Sequence, residues 1–232
     1  MASITIQASD GSGRFSAYVV EPQDKPAGAV VLIQEIFGVN QAMRDIAAWV
    51  ADLGFIAVCP DLFWRLEPGV DITDKSDAEW KKAFDLFNRF DQAKGLEDLK
   101  ATLSASRALS GANGRAGTMG YCLGGRLAFM MAEQSDADVN VSYYGVGLDS
   151  LLDQANTISK PLVVHIADQD EFFPPEGRAK TLAALKGRPN ISCHVYPNAN
   201  HAFARVGGIH WNGRAATIAN GRSAEALVQA LG

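Results

Sequence analysis

Apolar residues in this chain follow two spacings, and the alternation between them predicts the fold. Residues 29–34 read Ala-Val-Val-Leu-Ile-Gln, a short continuous run of the kind shown by a strand buried on both faces. Similar runs at 55–59, 115–119, 139–144, 162–166 and 191–196 predict further strands, the first of them stopped by Pro60. An opening pair, 4–8 and 15–20, flanks Asp10-Gly11-Ser12-Gly13 and reads as an antiparallel hairpin. Between the runs, apolar side chains recur every three or four residues. That spacing predicts helices over 41–53, 126–132 and 175–186, and a closing helix from about Ala215 or later to Leu231. Ser76-Asp77-Ala78-Glu79 is a capping box that starts another helix, with Trp80, Ala83, Phe84 and Phe87 on its packing face. Leu96, Leu99 and Leu103 mark one more, ending near Gly111.

Strands alternating with helices are the pattern of an α/β fold with a mostly parallel central sheet and helices on both faces. No repeat, low-complexity tract or linker divides the chain. Residues 1–232 are therefore expected to form a single domain.

Composition narrows the class. A hydrophobic content of 47% and a charged content of 20% describe an ordinary globular chain. The net charge of −5, with no cluster of Lys or Arg, argues against a nucleic-acid partner. No apolar run is long enough to span a bilayer, and Met1-Ala2-Ser3-Ile4-Thr5-Ile6-Gln7 lacks the parts of a secretory signal. Three widely spaced cysteines form neither a disulfide framework nor a zinc pattern. The expectation is a cytoplasmic protein, monomeric or weakly homo-oligomeric, with a small-molecule substrate and no metal or cofactor.

The chemistry starts at Gly120-Tyr121-Cys122-Leu123-Gly124-Gly125, which sits between the strand at 115–119 and the helix at 126–132. Small-x-nucleophile-x-small in a strand–turn–helix setting is a nucleophile elbow, with cysteine where serine is usual. The turn brings strand and helix so close that flanking positions tolerate only residues without bulk. It also sets Cys122 at a helix N-terminus, where the positive end of the dipole favours a thiolate.

A thiol nucleophile needs a base, and the base needs a carboxylate to orient it. Of four histidines, His165 and His194 lie within strands and read as structural, and His210 has no strand before it. His201 alone lies in a loop just after a strand, where parallel sheets carry their chemistry. The strand at 162–166 empties into Ala167-Asp168-Gln169-Asp170-Glu171, which favours Asp170 as the acid with Asp168 as its rival. The order nucleophile, acid, histidine is that of α/β-hydrolases. In that fold the loop after the strand at 29–34, here Glu35-Ile36-Phe37-Gly38, supplies one oxyanion donor, the N–H of Ile36. The N–H of Leu123 supplies the other.

Together these segments resemble the dienelactone hydrolase family (carboxymethylenebutenolidases) of the α/β-hydrolase superfamily. The likeness rests on the Gln34–Asn40 loop, Val58-Cys59-Pro60-Asp61-Leu62, the cysteine elbow, Tyr143–Leu148, Asp170 with Pro174, and His201-Ala202-Phe203-Ala204-Arg205. The resemblance implies a hydrolase with a Cys122–His201–Asp170 triad and a thioester intermediate, with Glu35 contacting the resting thiol. It also implies that Arg205 grips a substrate carboxylate, with Phe37, Tyr144 and Trp80 as further substrate-binding positions. Family members of chlorocatechol pathways carry a second substrate-binding arginine where Trp80 stands. The expected substrate is an anionic enol lactone or activated ester. The rivals are a broader carboxylesterase or thioesterase on neutral activated esters, and a non-catalytic thiol-sensing or binding protein.

Overall fold

The computed structural model describes residues 2–232, which divide into two compact units, one up to Gly117 and one from Thr118. The first unit opens with β1 (Ala2–Gln7) and β2 (Arg14–Val20), an antiparallel hairpin in which Ile6 faces Phe15. In β2 every second side chain is buried from Phe15 onward, the alternation of a strand with one covered face. β3 (Ala27–Ile33) and β4 (Ile56–Pro60) are parallel neighbours and wholly buried, as their unbroken apolar runs require. The order in this unit is β1-β2-β4-β3. Pro60 does not end the strand before itself. It is the last residue of β4, opposite Ala17 of β2.

Three helices complete the first unit, each started by a side-chain cap. Asn40 accepts the Met43 N–H at 3.2 Å for α1 (Gln41–Asp52). Asp91 accepts two amides for α3 (Gln92–Arg107). At α2 (Asp77–Arg89), Ser76 Oγ accepts the Glu79 N–H at 3.3 Å and donates to Glu79 Oε2 at 2.7 Å. The other Glu79 oxygen reaches past the cap to the Thr73 N–H and hydroxyl, so this box also ties down the preceding turn.

β5 (Ala112–Tyr121) starts three residues earlier than its apolar residues indicate, and α3 stops four residues short of Gly111. The turn between them uses the left-handed conformation of Gly111 (φ +83°), whose carbonyl accepts the Ala27 N–H at 2.9 Å.

The second unit is parallel throughout, in the order β5-β6-β7-β8, with β6 (Asn140–Tyr143), β7 (Leu162–Ala167) and β8 (Ile191–Tyr196). α4 (Leu123–Gln134) follows β5 after one residue, α5 (Pro175–Leu185) precedes β8, and α6 (Gly213–Leu231) closes the chain. α6 begins at Gly213 rather than near Ala215, because Asn212 caps it by accepting the Ala215 N–H at 3.1 Å. Two 3₁₀ segments, Leu148–Ser150 and Leu152–Thr157, have no counterpart in the apolar spacing. They bring Leu148, Leu151, Leu152 and Ala155 onto the core that Phe129, Val164, Ile166 and Leu185 build. Among the described residues, no helix is long and apolar enough to cross a membrane.

Candidate active site

Cys122 is the single residue between β5 and α4, and its backbone sits at φ 57°, ψ −114°. A non-glycine residue there is strained, and the strain persists because the surroundings fix it. The Cys122 N–H donates to the Tyr143 carbonyl at 3.1 Å, and its own carbonyl accepts the Arg126 N–H at 3.1 Å. Two glycines make the turn sterically feasible. A Cβ on Gly120 would lie 1.9 Å from the Gly124 carbonyl oxygen, and one on Gly125 would lie 2.4 Å from that of Tyr143. Gly125 thus matters for the approach of α4 to β6, a requirement beyond the elbow itself. Leu123 is the first residue of α4, so its N–H is among the amides that have no acceptor inside the helix.

His201 lies in the segment between β8 and α6, where Asn198 (φ 58°) and Ala202 (φ 61°) hold left-handed backbones on either side. Its Nδ1 meets Asp170 Oδ2 at 2.9 Å, and it also hydrogen-bonds Cys122. The other Asp170 oxygen accepts the Phe172 N–H at 2.9 Å. Asp168 is half-buried and instead donates its backbone N–H to Tyr196. Burial is the largest single influence and works against a charged imidazole, and the charge on Cys122 is the largest of several that oppose it. Hydrogen bonds to Asp170 and Cys122 and the Asp170 charge add to that effect, lifting His201 from 6.5 to about 10. Two rings press edge-on against the imidazole, Tyr144 at 5.2 Å and Phe172 at 4.9 Å. Arg205 follows in the same segment with its side chain buried. The second unit thus brings together Cys122, Asp170, His201 and Tyr144, each at the end of a different strand.

The remaining expected residues belong to the first unit. Glu35, Ile36 and Phe37 are all buried in the loop after β3, so Glu35 is no solvated loop charge. Gln34 holds that loop: its Oε1 accepts the Leu62 N–H at 3.1 Å and its Nε2 donates to the Glu35 carbonyl. Trp80 packs edge-on against Phe37 (5.1 Å), stacks on Phe84 (5.4 Å) and donates its indole N–H to the Asp74 carbonyl. It is therefore firmly seated on its own helix and loop.

Sequence spacing did not reveal Phe172, which touches both Asp170 and His201, nor a buried polar cluster of Tyr143, His165, Tyr196 and Ser223. The one available signal was a histidine inside an otherwise apolar strand, since such a ring must find partners.

A sulfur hydrogen-bonded to an imidazole whose far nitrogen is held by a carboxylate is a nucleophile–base–orienter series suited to acyl transfer. Comparison with known proteins identifies the family. Residues 15–231 match the model of the dienelactone hydrolase family. A provisionally named carboxymethylenebutenolidase of Azospirillum brasilense is 53% identical over 234 residues, covering all of both chains. The carboxymethylenebutenolidase of Pseudomonas putida is 38% identical over 224 residues, covering 97% of this chain and 94% of that one. Among solved structures, one from Klebsiella pneumoniae, provisionally titled a dienelactone hydrolase, matches with a TM-score of 0.84. It covers 98% of each chain at 24% identity, which speaks for the fold.

Proposed function

This chain belongs to the dienelactone hydrolase family, and from that premise we propose that it opens an enol lactone, or cleaves a similarly activated ester, through an acyl group carried on Cys122. It is a hydrolase of carboxylic esters or lactones. The observation that carries the finer reading is the position of His201, hydrogen-bonded at once to Cys122 and Asp170.

In this reading the Cys122 sulfur attacks the substrate carbonyl, and the N–H groups of Leu123 and Ile36 receive the oxyanion. The intermediate collapses by breaking the carbon–oxygen bond, and His201 gives its proton to the departing oxygen. A thioester remains on Cys122. Acylation removes the charge on sulfur, which is the largest upward influence on His201. The imidazole, neutral after that transfer, takes a proton from water, and the resulting hydroxide attacks the thioester. One residue serves as acid and then as base because the step between changes its charge environment.

Cysteine also limits the substrate. A thiolate leaves a tetrahedral intermediate readily, so an amide nitrogen loses the competition to depart. An enol oxygen of low basicity wins it, and in a lactone it stays tethered. We assign Glu35 to the resting thiol, Arg205 to an anionic substrate group, and Phe37, Tyr144 and Trp80 to the substrate wall, on the family resemblance. A second reading, a broader esterase on neutral activated esters, is favoured by the aromatic Trp80 at the place of a second arginine. Comparing p-nitrophenyl acetate with a carboxylate-bearing enol lactone, in the wild type and in Cys122→Ala, tests both. Loss of all turnover in Cys122→Ala supports the nucleophile, and retained turnover overturns it.

A further inference from the structure

We propose that His165 is a positioning residue for the triad, acting through a buried hydrogen-bond network with Tyr196, Ser223 and Tyr143. The inference rests on the Cys122 acyl-transfer reading and deepens it. His165 is fully buried in the middle of β7. Its Nδ1 lies 2.8 Å from the Tyr196 hydroxyl and its Nε2 lies 2.9 Å from Ser223 Oγ. Ser223 Oγ lies 2.7 Å from the Tyr143 hydroxyl, which also meets Asn220 Oδ1 at 2.9 Å.

The proton directions follow from the one member that can only donate. Arg222 gives an N–H to the Tyr196 oxygen at 3.1 Å, so Tyr196 O–H is free to donate to His165 Nδ1. Ser223 O–H donates to the Ala219 carbonyl at 3.0 Å, so its oxygen accepts from His165 Nε2–H. With a neutral ring in the Nε2–H tautomer, both His165 contacts and the Ser223–Ala219 bond each hold one proton, and the Tyr143 O–H is left to donate to Asn220 Oδ1 or Ser223 Oγ. Burial, together with the nearby His194 and Arg222, keeps His165 in that neutral form.

What makes this more than a satisfied core histidine is where the same residues send their main-chain carbonyls. Tyr143 accepts the N–H of Cys122 at 3.1 Å. Tyr196 accepts the N–H of Asp168 at 3.2 Å, two residues before the acid, and that of Ala199 at 3.3 Å, two residues before His201. His165 itself accepts the N–H of Tyr144 at 2.8 Å, whose ring lies against the imidazole of His201. The side chains thus lock together the three residues whose backbones hold the nucleophile, the acid loop, the histidine loop and the flanking ring. Phe203 is wedged between the two layers, 4.9 Å from Tyr196 and 5.4 Å from Tyr144. A loosened network lets the triad members drift by fractions of an ångström, a scale on which catalysis falls steeply.

The test is steady-state kinetics with p-nitrophenyl acetate on full-length His165→Leu, Ser223→Ala and Tyr196→Phe, each assayed well below its own melting temperature. Tyr196→Phe keeps the ring on Phe203 and removes only the hydroxyl. Positioning predicts that kcat falls by about tenfold or more while KM stays within about twofold. Folded variants with lower melting temperatures but wild-type kcat would overturn the proposal and leave a purely structural cluster. Where His165→Leu does not fold, the two hydroxyl deletions decide by the same criterion. Cys122→Ala in the same assay separates the two claims. If it is active the acyl-transfer reading fails; if it is dead and the network variants keep full kcat, only the positioning role fails.

Discussion

Asp170 and His201 are joined by a 2.9 Å hydrogen bond with both side chains almost wholly out of water, the carboxylate at 1% exposure and the imidazole at 5%. The second Asp170 oxygen is already committed to the Phe172 N–H. Asp170→Asn must therefore keep its oxygen on that amide and turn its NH2 toward Nδ1, which forces the imidazole into the wrong tautomer. We expect kcat/KM to fall by about 10³- to 10⁴-fold, the scale of the equivalent change in serine triads. Steady-state assay of the folded variant checks this, and a loss under tenfold would contradict it.

The charge on Cys122 is the strongest upward influence on His201. A group with a raised value stays protonated up to its folded value, so while the Cys122 sulfur is charged the ring stays cationic up to about pH 10. Cys122→Ala should move the His201 titration downward, as read from its imidazole ¹⁵N shifts. An unchanged midpoint would mean that the two side chains are not electrostatically coupled.

Glu133 on α4 is buried with Oε1 lacking a hydrogen-bond partner, and burial raises its carboxyl to about 7 despite the opposing attraction of Arg126. The folded state then holds the proton that the unfolded state loses. Its contribution is fully present below about pH 4.5 and is lost as pH rises through about 7. Glu133→Gln should therefore gain melting temperature relative to wild type as pH rises across that window. A pH-independent difference between the two would refute the burial argument.

How much of this was legible beforehand depended on the range of the interaction. The β3 run and the cysteine elbow are local, because burial of a strand and closeness of a turn act on adjacent residues. The choice between Asp168 and Asp170 was not, since both lie in one irregular turn and only the fold decides which reaches His201. The His165 network joins positions 31 and 58 residues apart, which no periodicity encodes. The 3₁₀ segments after β6 were equally silent, being too short to carry a helical stripe.

Arg205 is buried in the segment that carries His201. If it binds a substrate carboxylate, Arg205→Ala should lower kcat/KM for an anionic lactone by about 1.5–3 kcal/mol, the value of a charged hydrogen bond. Neutral esters should lose far less. Equal losses on both substrate types would remove its role in recognising anions.

Acyl transfer through sulfur leaves a covalent trace. Acid quenching of the enzyme during turnover of an activated ester, followed by peptide mass spectrometry, should find the acyl group on the peptide that contains Cys122 and nowhere else. Steady turnover with Cys122 unmodified throughout, and hydrolysis surviving in Cys122→Ala, would contradict the account at its centre.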